Sequence, residues 1–298
     1  MAKIRLSAAG FKAGPVRSFD DFADHVVRLV NEAEKDRPDF LIFPELFTGE
    51  LMNAFDEPDL PLPQKFARLA QYTDDYVHLF RPLARDKGFY IVAGSHLKEA
   101  NGSFYNTSHV FTPSGKIWEQ RKCHLFPVET AWTSPGDKLA VFETEKVKFS
   151  VLTCYDLEFP EAARLVTLQG ADLLLSPSAT LDENGYWRVR HCGQARCIED
   201  QVFVVHCSLV GTMVGLPFWG MSSILTPCDK GFPRKGIAAE GPANEETVVT
   251  AEVETEMLYE IRRQGAATTL KDRRWDMISD LYEFERTAPN GIRLQTKS

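Results

Sequence analysis

The chain has 298 residues, of which 44% are hydrophobic and 26% charged, a balance typical of globular proteins. Its 20 phenylalanines and many aliphatic residues exclude a disordered chain, and a chain of this length can bury a large core without disulfides. The formal net charge of −8, with no block of basic residues, disfavours nucleic acids and membranes as partners. The most apolar runs, at 40–43 and 202–205, are far shorter than the roughly 20 residues of a membrane-spanning helix.

The N-terminus lacks the long apolar core of a signal peptide, so we expect a cytoplasmic protein whose six cysteines are reduced. Cys192 and Cys197 lie close together with His191 beside them, but their spacing fits no standard zinc pattern. We interpret these thiols as residues packed on a helix face. No metal and no other cofactor is expected.

The first half of the sequence predicts strands and helices in alternation. Apolar and polar residues alternate from Ile4 to Ala8, which indicates a strand, and the next helix begins at the N-cap Ser18 and ends before Pro38. Further elements are predicted as apolar strands at 40–43 and 89–94, one long helix at 64–87, and a hairpin of strands at 104–112 and 117–122.

The second half continues the alternation. Strands are predicted at 139–143, 148–154, 172–176, 202–208, 222–226 and 247–253, and helices at 159–170 and 184–200. Helices that cover mixed sheets define a layered α/β domain, which we place at residues 1–262. The polar tail, residues 263–298, contains Arg273, Arg274 and Trp275, and we expect it to pack on the domain or on a partner subunit.

Three residues with chemical potential follow predicted strands, where ligand sites of α/β sheets lie. Glu45 comes after Phe43 and Pro44, Lys122 ends a hairpin strand, and Cys154 ends an apolar strand just before a helix. Each alone has a plain alternative: a solvated loop carboxylate, a surface basic pair, or a buried structural cysteine. Together they could supply a thiol nucleophile, a base and an oxyanion stabiliser. The helix after Cys154 is expected to lower the pKa of its thiol.

These motifs resemble the three signatures of the nitrilase superfamily, the carbon–nitrogen hydrolases. The resemblance covers about residues 4 to 260 and keeps the family's order and spacing. The stretches that carry it are FPE at 43–45, RKCH at 121–124 and CYDLEFPE at 154–161, supported by GSH at 94–96, YNTS at 105–108, FTPSGKI at 111–117, PGD at 135–137, GADLLLSPSAT at 170–180 and QARCIEDQVFVV at 194–205.

The resemblance implies a fold and a set of roles. The implied fold is a four-layer αββα sandwich of two mixed sheets. Glu45 is implied as general base, Lys122 as oxyanion stabiliser and Cys154 as nucleophile, while Glu129 matches the family's second glutamate and would orient the lysine. The backbone N–H of Tyr155 would be a second oxyanion donor. The resemblance also implies a homodimer or higher homo-oligomer, paired through the helices predicted at 159–170 and 184–200.

The residues after the nucleophile favour one reaction within the family. Tyr155-Asp156 resembles amide and carbamoyl hydrolases, whereas true nitrilases usually have Trp-Glu there. We therefore predict hydrolysis of a small amide to a carboxylate and ammonia. The alternatives are an N-carbamoyl hydrolase that releases ammonia and carbon dioxide, then a nitrilase, then a non-catalytic binding protein on the same fold. The intact Glu45, Lys122, Glu129 and Cys154 argue against the last.

Several nearby residues remain open to two interpretations. Glu158 stands where many members have an arginine, which favours a neutral or cationic substrate, unless this carboxylate only caps the following helix. His124 could form a Cys–His–Asp triad, but the family pattern gives it no proton-transfer role and we assign it to structure. Trp132, Tyr186 and Trp187 are candidate pocket walls and equally candidate core or interface residues.

Overall fold

The computed structural model describes residues 3–55 and 59–287. The strands assigned in this part of the chain are β1 Lys3–Ala13, β2 Phe40–Ile42, β3 Tyr90–Ala100, β4 Ser103–Phe111, β5 Ile117–Arg121, β6 Phe142–Glu143, β7 Lys148–Val151, β8 Leu173–Ser178, β9 Phe203–Met213, β10 Leu216–Phe218, β11 Ser223–Leu225, β12 Ile237–Glu240 and β13 Thr247–Glu254. The α-helices are α1 Phe19–Glu34, α2 Leu62–Leu69, α3 Thr73–Lys87, α4 Tyr155–Glu158, α5 Pro160–Leu168, α6 Glu183–Glu199, α7 Thr255–Gln264 and α8 Trp275–Thr287.

The strands form two mixed sheets. In the first sheet the order is β13-β1-β2-β3-β4-β5, and β1, β2 and β3 run parallel. In the second sheet it is β12-β11-β9-β8-β7-β6, and β7, β8 and β9 run parallel. The C-terminal parts of β1 and β9 pair with each other from Phe11 and Leu209 onward, so the two sheets are joined where these two strands end.

The apolar faces of these elements build four layers. Alternate residues of β1 show the pattern, because Ile4 and Leu6 face the second sheet while Phe11 packs with α1 on the outside. Phe149 and Val205 from the second sheet complete the core between the sheets. Helices α1 and α3 cover the outer face of the first sheet, and α5 and α6 cover that of the second. The predicted αββα sandwich is thus confirmed.

Some predicted boundaries differ from the structure. The long helix predicted at 64–87 is two helices, α2 and α3, separated by a short 3-10 turn at Ala70–Tyr72. Thr73 begins α3, and its hydroxyl donates to the carbonyl oxygen of Ala70 (2.7 Å). The strand predicted at 139–143 is reduced to Phe142–Glu143.

The C-terminal segment begins as part of the core and ends at the surface. Leu258 and Ile261 of α7 are buried in the core between the sheets, and Arg262 pairs with Asp172. The domain boundary predicted at 262 therefore falls inside α7. Trp275, at the start of α8, is exposed, and the end of the predicted tail, 288–298, lies outside the described residues. Within the described ranges, no helix has both the length and the apolar character needed to cross a membrane.

Candidate active site

Glu45 is held by a tight backbone crossing after β2. Gly94 of β3 has a φ of +55°, and a Cβ there would lie 1.9 Å from the carbonyl oxygen of Pro44. Leu46 is also left-handed, with a φ of +47°, and its N–H donates to Ser95 Oγ (3.0 Å). The crossing turns the Glu45 side chain into the interior, where it is 3% exposed.

Lys122 lies directly after β5 and is buried between two carboxylates. Its backbone N–H donates to the carbonyl oxygen of Asn106 (2.9 Å), which continues the pairing of β5 with β4. Its Nζ is 2.7 Å from Glu45 Oε1 and also contacts Glu129 Oε2. Burial lowers the pKa of Lys122, but the charges of Glu45 and Glu129 outweigh it and raise the pKa above its usual value. The side chain is therefore an ammonium at neutral pH.

Glu129 is fixed by the start of the short 3-10 helix at Pro127–Ala131. Its Oε2 accepts a hydrogen bond from the backbone N–H of Phe126 (2.9 Å), as in a capping box. The Glu129 carboxylate thus satisfies a backbone N–H that has no partner within the helix. This hydrogen bond restrains the Glu129 side chain beside Lys122.

Asn106 of β4 joins the same group, although its place in the sequence predicted no role for it. Its Nδ2 donates to Glu45 Oε1 (2.9 Å) and to Glu129 Oε1 (3.0 Å). The signal available in the sequence was a polar residue within a strand whose neighbours are buried, inside the YNTS stretch that resembles the family. That signal cannot tell which groups the amide meets, because Glu45 is 61 residues away in the chain.

Cys154 lies at a strained turn between β7 and α4. Its φ of 46° and ψ of −98° are unusual for a residue with a side chain. Its N–H donates to the carbonyl oxygen of Pro177 (2.9 Å), and its own carbonyl oxygen accepts from Leu157 (3.0 Å). These bonds hold the turn in place and leave the thiol at the edge of the second sheet.

The expectation of a lowered thiol pKa is wrong. Burial raises the pKa of Cys154 well above its usual value, and the charge of Glu45 raises it further, while Lys122 acts in the opposite direction. Helix α4 has only four residues, so its N-terminus offsets little of this effect. A thiol with a pKa raised in this way is protonated at neutral pH.

Glu45 is the carboxylate that contacts this thiol. The pKa of its carboxyl group is raised above its usual value, because burial and the charge of Glu129 outweigh the opposite effect of Lys122. Contact with the Cys154 thiol also lowers this pKa, which places the two side chains next to each other. The second oxygen of Glu45, Oε2, accepts from the N–H of Ala179 (3.1 Å).

The backbone N–H of Tyr155 remains available beside the thiol. Tyr155 is the first residue of α4, so its N–H has no partner within the helix. It makes no hydrogen bond with any other part of the described chain. The group can therefore donate to an oxygen atom that develops negative charge next to Cys154.

A cavity of about 260 Å³ brings the predicted side chains together. Glu45, Lys122, Glu129 and Cys154 all line it, as does Trp132, whose ring stacks on Phe66 at 4.7 Å. Most of the remaining wall is apolar and consists of Leu46, Leu62, Phe126, Val128, Leu181, Met213, Leu216 and Phe218. Such a cavity suits a small substrate with one polar reacting group.

Glu158 lines the cavity together with a counter-charge that the sequence did not reveal. Its Oε2 accepts a hydrogen bond from Arg188 Nε (2.7 Å), and Arg188 also lines the cavity. The charge of Glu158 is thus paired, and its sign alone does not set a substrate preference. Neither Tyr186, which is buried in the core, nor Trp187, which donates to Glu183, lines the cavity.

His124 is engaged away from the thiol. Its Nδ1 is 2.8 Å from Asp156 Oδ1, and its ring stacks on Phe159 with centroids 3.9 Å apart. Asp156 also accepts from the backbone N–H of His124 (2.7 Å). His124 is not among the residues that line the cavity. His124 therefore connects the segment after Lys122 to α4 through Asp156.

The described residues contain no group of three or more His, Cys, Asp or Glu side chains that could hold a metal ion. Cys197, considered above as a metal ligand, packs in the core between α6 and the second sheet. Cys192 is half-buried on the same helix.

A buried cysteine, lysine and two glutamates at one edge of an αββα sandwich define a site of the nitrilase-superfamily type. The chain belongs to the carbon–nitrogen hydrolase family, whose sequence model matches residues 7–263. The predicted resemblance is confirmed.

Known relatives and a solved structure agree with this assignment. The chain is 37% identical to the "Probable hydrolase YhcX" of Bacillus subtilis in an alignment of 289 residues that covers 94% of this chain and 55% of that protein. It therefore spans about half of the length of this relative. It is 32% identical to the omega-amidase NIT2 of Xenopus tropicalis over 294 residues, covering 94% of this chain and 98% of that one. The crystal structure of Saccharomyces cerevisiae Nit3, a member of branch 10 of the nitrilase superfamily, matches with a TM-score of 0.76 at 26% identity, over 92% of this chain and 97% of that chain.

Proposed function

We propose that this protein hydrolyses a small amide to a carboxylate and ammonia through a covalent intermediate on Cys154. The observation that carries the proposal is the shared cavity, where a protonated thiol, a buried carboxylate and a buried ammonium lie together. The similarity to an omega-amidase over nearly the whole chain supports an amide as the substrate. The pair Tyr155-Asp156 favours an amide over a nitrile.

The first half of the reaction forms a thioester. Glu45 takes the proton of the Cys154 thiol, and the sulfur attacks the carbonyl carbon of the amide. The carbonyl π electrons move to oxygen, and Lys122 Nζ and the Tyr155 N–H stabilise the resulting oxyanion. When the tetrahedral intermediate collapses, the C–N bond breaks, and the leaving nitrogen takes the proton back from Glu45. Ammonia departs and the acyl group stays on sulfur.

The second half returns the enzyme to its starting state. Glu45 takes a proton from a water molecule, whose oxygen attacks the thioester carbon. The same two donors hold the second oxyanion, and its collapse breaks the C–S bond to release the carboxylic acid. The proton on Glu45 returns to the Cys154 sulfur. Glu129 keeps Lys122 charged and in place through both halves. No step of this sequence needs a metal, because sulfur supplies the nucleophile.

Ammonia release from a panel of small amides, carbamoyl compounds and nitriles tests the proposal. We expect amides to be the best substrates and Cys154→Ala to abolish turnover while circular dichroism shows an intact fold. Cys228→Ala, which removes an exposed thiol, is the matched control and should retain activity. Substantial ammonia release by a folded Cys154→Ala protein would refute the mechanism, and a clear preference for carbamoyl compounds or nitriles would refute the choice of substrate.

A further inference from the structure

Four buried side chains at the site form a closed ring of contacts, which we call the carboxylate ring: Glu45, Lys122, Glu129 and Asn106. Lys122 bridges the two glutamates on one side through its ammonium group. Asn106 bridges them on the other side through its Nδ2, at 2.9 Å from Glu45 Oε1 and 3.0 Å from Glu129 Oε1. The ring therefore has one charged bridge and one neutral bridge.

The chemistry of the ring fixes the orientation of the Asn106 amide. A flipped amide would turn its oxygen toward two carboxylates, which can only accept hydrogen bonds when ionised. The other end of the amide, Oδ1, is buried and has no hydrogen-bond partner among the described residues. The two glutamates are thus the groups that this side chain is built to meet.

The charges explain why a second bridge is needed. Two ionised glutamates and one lysine leave a net charge of −1 in a buried site, and such a charge is stable only when hydrogen-bond donors surround it. Burial already raises the pKa of Glu45, and the neighbouring Glu129 adds to the effect. Without the Asn106 donor, Glu45 would bind a proton more readily and lose its capacity as a base.

We propose that Asn106 is a positioning residue, whose amide fixes the separation of the two carboxylates and keeps Glu45 ionised and able to take the Cys154 proton. This inference rests on the proposed role of Glu45 as base. Asn106 makes a second contact, because its backbone carbonyl oxygen accepts a hydrogen bond from the backbone N–H of Lys122 (2.9 Å). That backbone contact persists in any side-chain variant, so substitutions at Asn106 test the amide alone.

The pH dependence of Cys154 alkylation reports whether Glu45 is protonated, and the measurement needs no substrate. Iodoacetamide labelling at Cys154, followed by peptide mass mapping, should slow in acid as Glu45 binds a proton. We expect Asn106→Ala to move this acid limb upward by about one pH unit, since a hydrogen bond to a charged group is worth roughly tenfold or more in an equilibrium. The acid limb of ammonia release should move with it, with kcat reduced more than KM changes.

Asn106→Asp separates hydrogen-bond donation from shape. Aspartate keeps the size of asparagine but places a third carboxylate against the other two. We expect it to shift the limb at least as far as alanine and to be the less active variant at neutral pH. A space-filling role predicts the reverse order, with aspartate near the wild type. Should the aspartate variant fail to fold, as judged by circular dichroism, the alanine variant decides alone.

Ser108→Ala is the matched control. Ser108 lies two residues further along β4, is equally buried, and bonds Thr153 rather than a glutamate. Its variant should keep the wild-type pH profile. If Glu45→Gln leaves the alkylation profile unchanged, the base is wrongly assigned and both proposals fail. If Glu45→Gln removes the acid limb while Asn106→Ala leaves it where it was, the inference about Asn106 alone is overturned.

Discussion

Lys122 is the residue that best distinguishes the proposed Glu–Lys–Cys mechanism from a Cys–His–Asp triad that uses His124. It is 2% exposed and lies between two carboxylates, and its proposed role is to stabilise the oxyanion. We expect Lys122→Met to reduce kcat by about 10²–10³-fold or more, because one oxyanion donor is typically worth that factor. His124→Ala should lose mainly packing against Phe159 and the contact with Asp156. Ammonia release by both variants, with folding checked by circular dichroism, measures the difference.

Glu45→Gln belongs to the same comparison. It removes the proton acceptor for the thiol and for water, and should resemble Lys122→Met. An active Lys122→Met protein beside an inactive His124→Ala protein would overturn these roles, even if Cys154 were essential.

The residues of the site were predictable to different degrees. Glu45, Lys122 and Cys154 each follow a strand, a position that local sequence patterns reveal, and the spacing of the family motifs added Glu129. The contacts of Asn106 with both glutamates and of Arg188 with Glu158 are long-range, and no local pattern specifies them. The thiol pKa was mispredicted for a related reason. The direction of the pKa shift depends on the burial of the thiol beside Glu45, and this effect outweighs that of a helix of four residues.

At the scale of elements, the crossing between Pro44 and β3 sets the position of Glu45, the proposed base. A Cβ on Gly94 would collide with the Pro44 carbonyl oxygen at 1.9 Å and would also sit at a φ of +55°. We expect Gly94→Ala to lower both the free energy of unfolding and kcat, since relief of the collision moves the segment that carries Glu45. Chemical denaturation and ammonia release measure the two effects.

Gly102 provides the control for that experiment. It also has a positive φ, of +76°, but no atom of the described residues lies within 4 Å of an added Cβ. Gly102→Ala should therefore cost only the left-handed backbone preference, about 1–2 kcal/mol, and leave kcat unchanged. Equal effects of the two substitutions on stability and activity would show that the close approach of Gly94 to Pro44 does not determine the position of Glu45.

The elements themselves were predicted better than their ends. The order of strands and helices follows from hydrophobic periodicity, and Ser18 caps α1 as expected, with its side chain accepting from Asp21 N–H. Strands β1 and β9 extend past their predicted ends because they pair with each other there, a contact between distant segments. The break between α2 and α3 depends on Thr73, whose hydroxyl also contacts buried His96.

At the scale of the whole molecule, one charged cluster ties α1 to the residue just before β13 and to the segment after Glu45. His25 of α1 is 2.6 Å from Glu246 through Nε2 and 3.2 Å from Glu50 through Nδ1, and Arg28 pairs with Glu246. Burial lowers the pKa of His25, but the two glutamates outweigh it and raise the pKa from 6.5 to about 9. Glu50 lies in the 3-10 helix Phe47–Ala54, so the cluster joins three parts of the chain.

The raised pKa of His25 makes a prediction about stability in alkaline solution. A histidine with a raised folded-state pKa stabilises the fold fully below its unfolded pKa of 6.5, and this contribution disappears as the pH rises through about 9. We expect the Tm of the wild type to fall more between neutral and alkaline pH than the Tm of His25→Gln, which cannot carry the charge. Parallel Tm curves for the two proteins would contradict the prediction.

The outer helical layer over the second sheet carries exposed apolar side chains, which a subunit interface would bury. Leu165 and Leu168 of α5 are 48% and 52% exposed, and Ile198 of α6 is 44% exposed. These are the two helices through which the family resemblance implies pairing, and we expect a homodimer that buries them. Leu168→Asp should weaken the dimer, because dimerisation would then desolvate a carboxylate. The monomer should keep its fold, since this side chain already faces solvent.

Asn31→Asp is the control. It adds the same charge to α1, on the opposite helical layer, and should leave the dimer intact. Sedimentation at micromolar concentration measures both. A wild type that is only monomeric, or a Leu168→Asp variant that dimerises as tightly as Asn31→Asp, would rule out this surface as the subunit interface.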